Sequence, residues 1–280
     1  MLFFSQQYAI LPLFIRQKKA EGTDRMKKLI ACDVDGTLIP EGERWVAPEV
    51  LKEARRLTDE GWIFAFASGR QLANLQALAK DLADRFYYIT QNGAAVYSNG
   101  AQPKLIDKTP LGQEKALKLA HEILAVEEYD LEMSGSNRSY LCPKTDYFRS
   151  YMKGYVNMNI TEVPSPEDVP EDFVKMSIFC PDSIEAHNRL MPKWGQQFKI
   201  AIAGEIWLDI TVADKGTGIR TLCRHLDIPP ENVVAFGDNY NDVPILDIVG
   251  TPYIMGSAPD ELLHRYPNVC YDVAETLKTL

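Results

Sequence analysis

The sequence has few of the residues that usually bind transition metals or build covalent frameworks. Its five cysteines (Cys32, Cys142, Cys180, Cys223 and Cys270) are scattered, odd in number and contain no CxxC pair. That excludes a disulfide scaffold and a zinc site, and implies reduced, mostly buried thiols in a cytoplasmic protein. The four histidines, His121, His187, His225 and His264, show no metal-ligand spacing and read as structural or surface residues. No apolar run approaches the ~18 residues of a membrane helix, so no membrane partner is expected. Basic residues are in deficit, 30 against 39 acids, for a net charge of −9. General nucleic-acid binding needs a basic face and is excluded, whereas an anionic substrate needs only a local lysine and a few backbone amides. There is no internal repeat or low-complexity segment.

Apolar residues make up 46% of the 280 positions and charged residues 25%, the balance of a globular chain large enough for about two domains. Residues 1–25 stand apart. Their apolar positions are interrupted by Gln6 and Gln7, with no preceding positive charge and no cleavage site, so the segment is a poor signal peptide. Met26-Lys27-Lys28 resembles a natural start, and residues 1–25 are expected to lie outside the compact domain.

From residue 27 the pattern alternates strands and helices. Strands are predicted over 28–34, 62–67 and 86–90, and helices over 48–60 and 71–83. The alternation implies βαβ units and a parallel sheet. After Asn92-Gly93 the texture changes. A short strand at 94–98 meets the hairpin signal Asn99-Gly100, and a helix is predicted over 112–127. Polar, loop-rich segments with aromatics follow. Strands at 175–180, 198–203 and 206–211 and a helix at 184–194 complete an α+β stretch. The βα rhythm returns from Lys215, with strands at 233–236 and 251–255. The expected organisation is an α/β core of residues 26–92 and 211–280, interrupted by an α+β insert of residues 93–210.

Four stations carry chemistry. The first strand ends in Asp33-Val34-Asp35-Gly36-Thr37-Leu38, and acids at i and i+2 of extended backbone point to the same side. They suit a nucleophile and a proton carrier, or two ligands of a hard cation. A calcium loop would continue with oxygen ligands, but Leu38, Ile39 and Pro40 follow. The second strand ends in Ser68-Gly69-Arg70 before a helix, which suits either an N-cap or an anion site. Lys215 stands just ahead of a helix predicted over 218–226, where its charge opposes the dipole. Either an anion offsets it or it is a solvated surface lysine. The strand at 233–236 ends in Gly237-Asp238-Asn239-Tyr240-Asn241-Asp242, an oxygen-rich cluster suited to Mg²⁺ or simply an acid-rich turn. All four lie at strand C-termini or helix N-termini, which converge at ligand sites in open α/β sheets.

Together, in this order, these segments resemble the four motifs of the haloacid dehalogenase superfamily. The large insert between the second and third motifs, with Asn92-Gly93 at the crossing, is similar to the Cof-type phosphatase branch. The resemblance spans about residues 26–280. It implies a Rossmann-like parallel-sheet core with an inserted α+β cap domain. It also implies a Mg²⁺-dependent phosphatase of small phosphorylated metabolites, sugar phosphates first. By the same resemblance Asp33 is the nucleophile that forms an aspartyl-phosphate. Asp35 is the general acid and then the general base. Mg²⁺ is held by Asp33, the Asp35 carbonyl and Asp238, with Asn241 and Asp242 in support. Ser68, Gly69 and Lys215 bind the phosphoryl group.

Two segments depart from the branch pattern. Met255-Gly256-Ser257-Ala258 stands where Met-Gly-Asn-Ala is common, and Tyr271-Asp272-Val273 lacks the glycine of Asp-Gly-Val. Both changes concern the rear wall of the site. Asn92, Arg138 and Tyr140, with Lys144 and Tyr147, are candidate substrate contacts. Two other functions use the same residues: a phosphomutase working through the same aspartyl-phosphate, and a non-catalytic phospho-ligand binding module. A monomer or homodimer is expected.

Overall fold

The computed structural model describes residues 28–154 and 158–280; the segment 1–25 lies outside the described residues. The chain begins with β1 (Leu29–Cys32), α1 (Pro48–Asp59), β2 (Ile63–Ala67), α2 (Leu72–Ala79), β3 (Tyr87–Thr90), β4 (Ala95–Tyr97) and β5 (Leu105–Lys108). It continues with α3 (Gln113–Leu124), β6 (Asp130–Ser134), β7 (Ser139–Cys142), α4 (Asp146–Lys153), β8 (Ile160–Glu162), β9 (Lys175–Phe179), α5 (Ser183–Trp194), β10 (Lys199–Gly204) and β11 (Trp207–Thr211). It closes with α6 (Lys215–Leu226), β12 (Val233–Gly237), α7 (Val243–Leu246), β13 (Thr251–Met255), α8 (Asp260–Arg265), β14 (Asn268–Cys270) and α9 (Val273–Lys278).

The fold is α/β. Eight strands form one sheet in the order β14-β13-β12-β1-β2-β3-β4-β5, parallel from β14 to β3. β1 and β12 are buried along their whole lengths, as strands covered by helices on both faces must be. From β1 the chain builds outward through β2 and β3, then returns to build outward on the other side through β12 and β13. The switch therefore falls between β1 and β12, where a crevice opens at the strand ends. α1 shows how the covering helices form. Pro48 sits at its start, where a missing N–H costs nothing. Val50, Leu51, Ala54 and Leu57 are its buried apolar residues.

The second sheet has six strands in the order β10-β11-β9-β6-β7-β8. Its pairs are antiparallel except β7 with β8. One face of it, with Leu131, Met133, Met176, Ile178, Leu208 and Ile210, packs in one apolar cluster with Leu119 and Ile123 of α3 and Ala186 and Leu190 of α5.

Two expectations are corrected. The sequence places residues 93–108 in the insert, but β4 pairs antiparallel with β3 and β5 with β4, extending the core sheet. Ala95, Val96 and Tyr97 are all buried, which requires cover on both faces. Residues 128–163 read as polar loops yet contain β6, β7, α4 and β8. Asp and Glu disfavour strands, and here Asp130 and Glu132 are buried on one face of β6, with Glu132 lining a cavity rather than meeting open water.

Candidate active site

The crevice at the switch point gathers three of the four motifs. The Asp33 amide donates to the carbonyl of Phe236 (2.9 Å), tying the end of β1 to β12. Asp33 is 5% exposed. Its Oδ1 accepts from Lys215 Nζ, while its Oδ2 is buried without a hydrogen-bond partner. Lys215 also donates to Asp242 Oδ1 at 2.6 Å. The Oδ2 of Asp242 accepts the amides of Asp238 (3.0 Å) and Asn239 (3.2 Å). A solvated lysine is excluded, since Lys215 is 1% exposed. The anions that offset its position at the start of α6 are two carboxylates of the protein itself.

Glycines permit this closeness. A Cβ on Gly36, whose φ is +87°, would lie 2.2 Å from Asp238 Oδ2. A Cβ on Gly93 would lie 1.9 Å from the Asp214 carbonyl oxygen, which precedes Lys215. Asp214 starts α6, its Oδ1 accepting the Thr217 amide at 2.7 Å, and so fixes where Lys215 enters the crevice.

Acidic oxygens of Asp33, Asp238 and Asp242 lie within 4.8 Å of one another. With all three carboxylates ionised, three against one ammonium leave a net charge of about −2, and each unpaired buried charge costs several kcal/mol. Burial pushes the Asp33 carboxyl up to about 8, against the pull of Lys215 and with Asp242 and Asp238 adding to the rise. Burial, then Asp242, raises Asp238 to about 6 against Lys215. Burial opposes the charge of Lys215, but Asp242 and Asp33 outweigh it and raise its pKa. An all-oxygen donor set, an orphaned carboxylate oxygen and an uncompensated double negative charge fit a hard divalent cation. Asn241, expected beside it, is exposed in the turn after Asp238.

The remaining station lies at the rim. Ser68 is buried, and its Oγ accepts the Arg70 amide at 3.2 Å. It does not cap α2, whose N-cap is Gln71. The Ser68 carbonyl accepts the Asn92 amide and the Arg70 carbonyl accepts the Gln91 amide (3.0 and 3.2 Å). Gln91 and Asn92 both have left-handed backbone, which folds Asn92 against Gly69. Asp35 has an exposed side chain and is gripped by Arg70, Nε to Oδ2 at 2.9 Å and Nη2 to Oδ1. Arg70 also donates to Asn74 at 2.7 Å. The motif contains Arg70, but nothing in its local pattern separates it from a solvated charge at a helix start.

A cavity of about 410 Å³ runs from Gly69, Arg70 and Gln71 to the six-stranded sheet, where Glu132, Lys175, Ser177, Trp207 and Asp209 line it. The expected substrate contacts are corrected here. Arg138 is exposed and bonds Thr161 (2.8 Å), and Tyr140 is buried against Glu171 (3.1 Å). Lys144 and Tyr147 are also absent from the lining. Period-2 alternation in 130–134, 175–179 and 207–211 marks the true lining residues, but the same alternation marks any solvated strand face. The two departing segments, 255–258 and 271–273, lie against each other, since a Cβ on Gly256 would meet the Tyr271 ring at 2.3 Å. The cysteines are free and buried, as expected. Among the described residues no helix is long and apolar enough to cross a membrane.

A switch-point crevice with a strand-end acid pair, a buried lysine and an acidic turn, in a parallel-sheet core that carries a second sheet between its second and third motifs, defines an α/β protein with a site at its strand ends. A family model described as haloacid dehalogenase-like hydrolase matches residues 30–276, and the chain belongs to that family. The six-stranded sheet is built from the chain between the second and third motifs, where the resemblance to the Cof-type branch implies an inserted domain. The chain is 24% identical over 246 residues to the HMP-PP phosphatase of Serratia proteamaculans strain 568, covering 87% of this chain and 89% of that protein. It is 23% identical over 235 residues to the 5-amino-6-(5-phospho-D-ribitylamino)uracil phosphatase of Escherichia coli strain K12, covering 82% and 86%. A haloacid dehalogenase-like hydrolase from Bacteroides thetaiotaomicron shares the fold with a TM-score of 0.78 at 19% identity, covering 90% of this chain and 99% of the other. A sugar phosphatase of haloacid dehalogenase subclass IIB shares it with a TM-score of 0.73 at 22% identity, covering 90% and 97%.

Proposed function

We propose that the chain is a Mg²⁺-dependent phosphatase of small phosphorylated metabolites, sugar phosphates among them, acting through an aspartyl-phosphate on Asp33. One observation carries the proposal: Lys215, buried, bridges Asp33 and Asp242 while an Asp33 oxygen stays unpartnered beside Asp238. The phosphatase names of the relatives support it.

Asp33 and Asp238, with Asp242 and the Asp35 carbonyl, would hold Mg²⁺. When bound, Mg²⁺ supplies positive charge that compensates the phosphoryl oxygens. Lys215 adds charge from the protein side, and Ser68 with the Gly69 amide offers donors at the rim. An Asp33 oxygen attacks phosphorus. The bond to the leaving oxygen breaks as Asp35 gives that oxygen a proton. Asp35 then takes a proton from water, which attacks the aspartyl-phosphate, releases inorganic phosphate and restores the Asp33 carboxylate. General acid–base help of this kind is worth roughly 10²–10⁴-fold. Arg70 holds Asp35 at the cavity mouth, where a leaving group would emerge.

The test is phosphate release from a panel of phosphorylated metabolites with and without Mg²⁺. Mg²⁺-dependent release that disappears in Asp33→Asn is expected. Full turnover by Asp33→Asn refutes the nucleophile, and an isomerised ester without free phosphate shows a mutase instead.

A further inference from the structure

The far end of the cavity carries a built polar row. Glu132 of β6 and Asp209 of β11 both pair in register with Ser177 of β9, and Lys175 lies two residues before Ser177 on the same face. All four line the cavity. Ser177 Oγ donates to Asp209 Oδ1 at 2.7 Å, and Lys175 Nζ stands 3.6 Å from Asp209 Oδ2. Glu132 is 4% exposed. Ser134 and Ser139 both donate to its Oε1, so among the described residues Oε2 has no donor. Gln91 is 1% exposed and lines the same cavity, and its Nε2 has no hydrogen-bond partner. Burial opposes the charge on Lys175, but Asp209 and Glu132 outweigh it. Two carboxylates against one ammonium give this end a net charge of about −1.

We propose that Asp209 and Glu132 select substrates by the charge of the leaving group, accepting neutral or cationic alcohols rich in hydroxyl or amino donors and rejecting those with a second anion. This rests on the phosphatase function above. A hydroxyl can donate to Glu132 Oε2 or Asp209 and accept from Lys175 Nζ or Gln91 Nε2. A second anion finds Lys175 already balanced by Asp209, and it is repelled by Glu132 across a partly desolvated space. At an effective dielectric constant near 20, that repulsion lowers affinity roughly tenfold or more.

Three esters of similar size test the idea: glucosamine 6-phosphate, glucose 6-phosphate and 6-phosphogluconate, with cationic, neutral and anionic leaving groups. For the wild type, kcat/KM is expected to be at least as high for the amine as for the neutral sugar, and about tenfold lower for the carboxylate. Asp209→Asn and, separately, Glu132→Gln should each narrow the glucose-to-gluconate ratio by about threefold or more. A wild-type ratio near one, or a ratio unmoved in both variants, overturns the proposal. So does turnover of p-nitrophenyl phosphate with none of the three esters cleaved. Failure of the underlying function looks different: no Mg²⁺-dependent release from any ester, p-nitrophenyl phosphate included. The wild-type comparison needs no variant to fold.

Discussion

Replacing Lys215 with Met tests the electrostatic core of the site. The ammonium is 1% exposed and lies between Asp33 and Asp242. Met fills much of the same volume, so the principal loss is charge. In measurements above about pH 8, where Asp33 and Asp238 are ionised, the buried cluster goes from about −2 to −3, and removing one partner of a buried ion pair typically costs ~3–5 kcal/mol. For a chain of this length each kcal/mol moves the melting temperature by roughly 2–4 °C, so a fall of about 10 °C is expected in EDTA. The decisive comparison is with Lys215→Met combined with Asp242→Asn. The Asn carboxamide can still accept a backbone amide with its oxygen and can donate toward Asp33 with its nitrogen. It also removes one of the three negative charges. The double variant should therefore melt above the Lys215→Met single variant despite carrying one more change. Thermal unfolding followed by circular dichroism in EDTA reads both. A single variant within about 2 °C of wild type, or a double variant no better than the single, refutes the claim that carboxylate repulsion dominates this cluster.

Other outcomes follow from the same geometry. Asp33 and Asp238 have folded pKa values raised above the usual carboxylate range, to about 8 and about 6. Such groups add stability that is fully present below the unfolded pKa and is lost as pH rises through the folded values. The metal-free protein should thus lose stability between about pH 5 and 8, and Mg²⁺ should raise its melting temperature more at pH 8 than at pH 5; an equal or absent Mg²⁺ shift contradicts this. Gly36→Ala places a Cβ 2.2 Å from Asp238 Oδ2 at a φ of +87°, so it should weaken Mg²⁺ binding measured calorimetrically, while Gly42→Ala, with open space around it, should not. Arg70→Ala removes the bonds that hold Asp35 and should lower kcat/KM with a changed pH profile for turnover. An unaltered profile would mean that Arg70 does not position Asp35.

The parts of this architecture legible in sequence are those where burial leaves a one-sided signature. β1, β2 and β12 are short apolar runs that end abruptly in Asp33, Ser68 and Gly237-Asp238, and only a fully covered strand reads that way. Pro48 marks a helix start through backbone chemistry that acts locally; the Asp214 cap, which starts α6 three residues before the predicted helix, is not read from the sequence. The motifs are legible because each ends such a strand or opens such a helix. What their spacing does not contain is the partner across the crevice. Lys215 is 182 residues from Asp33 and 27 from Asp242, and no local rule states that its counter-charges are carboxylates rather than a bound phosphate. Asn241 shares the motif with Asp238 but is turned outward, because the turn after β12 buries Asp242 instead.

In the inserted sheet β9, β10 and β11 are legible as strands, whereas β6, β7 and β8 read as loops and the cavity-lining role of any of them is not legible, for a different physical reason. Alternation of polar and apolar residues says that a strand has two unlike environments, and water is the usual second one. In β6, β9 and β11 the second environment is a cavity between the sheets, so Glu132, Lys175, Ser177 and Asp209 carry the same pattern as a wet surface while standing largely buried. The difference lies in what the polar side chains meet. On a wet face, single long side chains suffice, because water satisfies each one. In the cavity they are bound to one another across strands: Ser177 to Asp209, Ser134 and Ser139 to Glu132, and Gln71 of the core to Ser139 at 2.6 Å. That last bond joins the two sheets at the cavity edge. Short hydroxyl side chains opposite acids on neighbouring strands are therefore the feature that separates a lining face from a solvated one, and it becomes visible only when strand order and register are known.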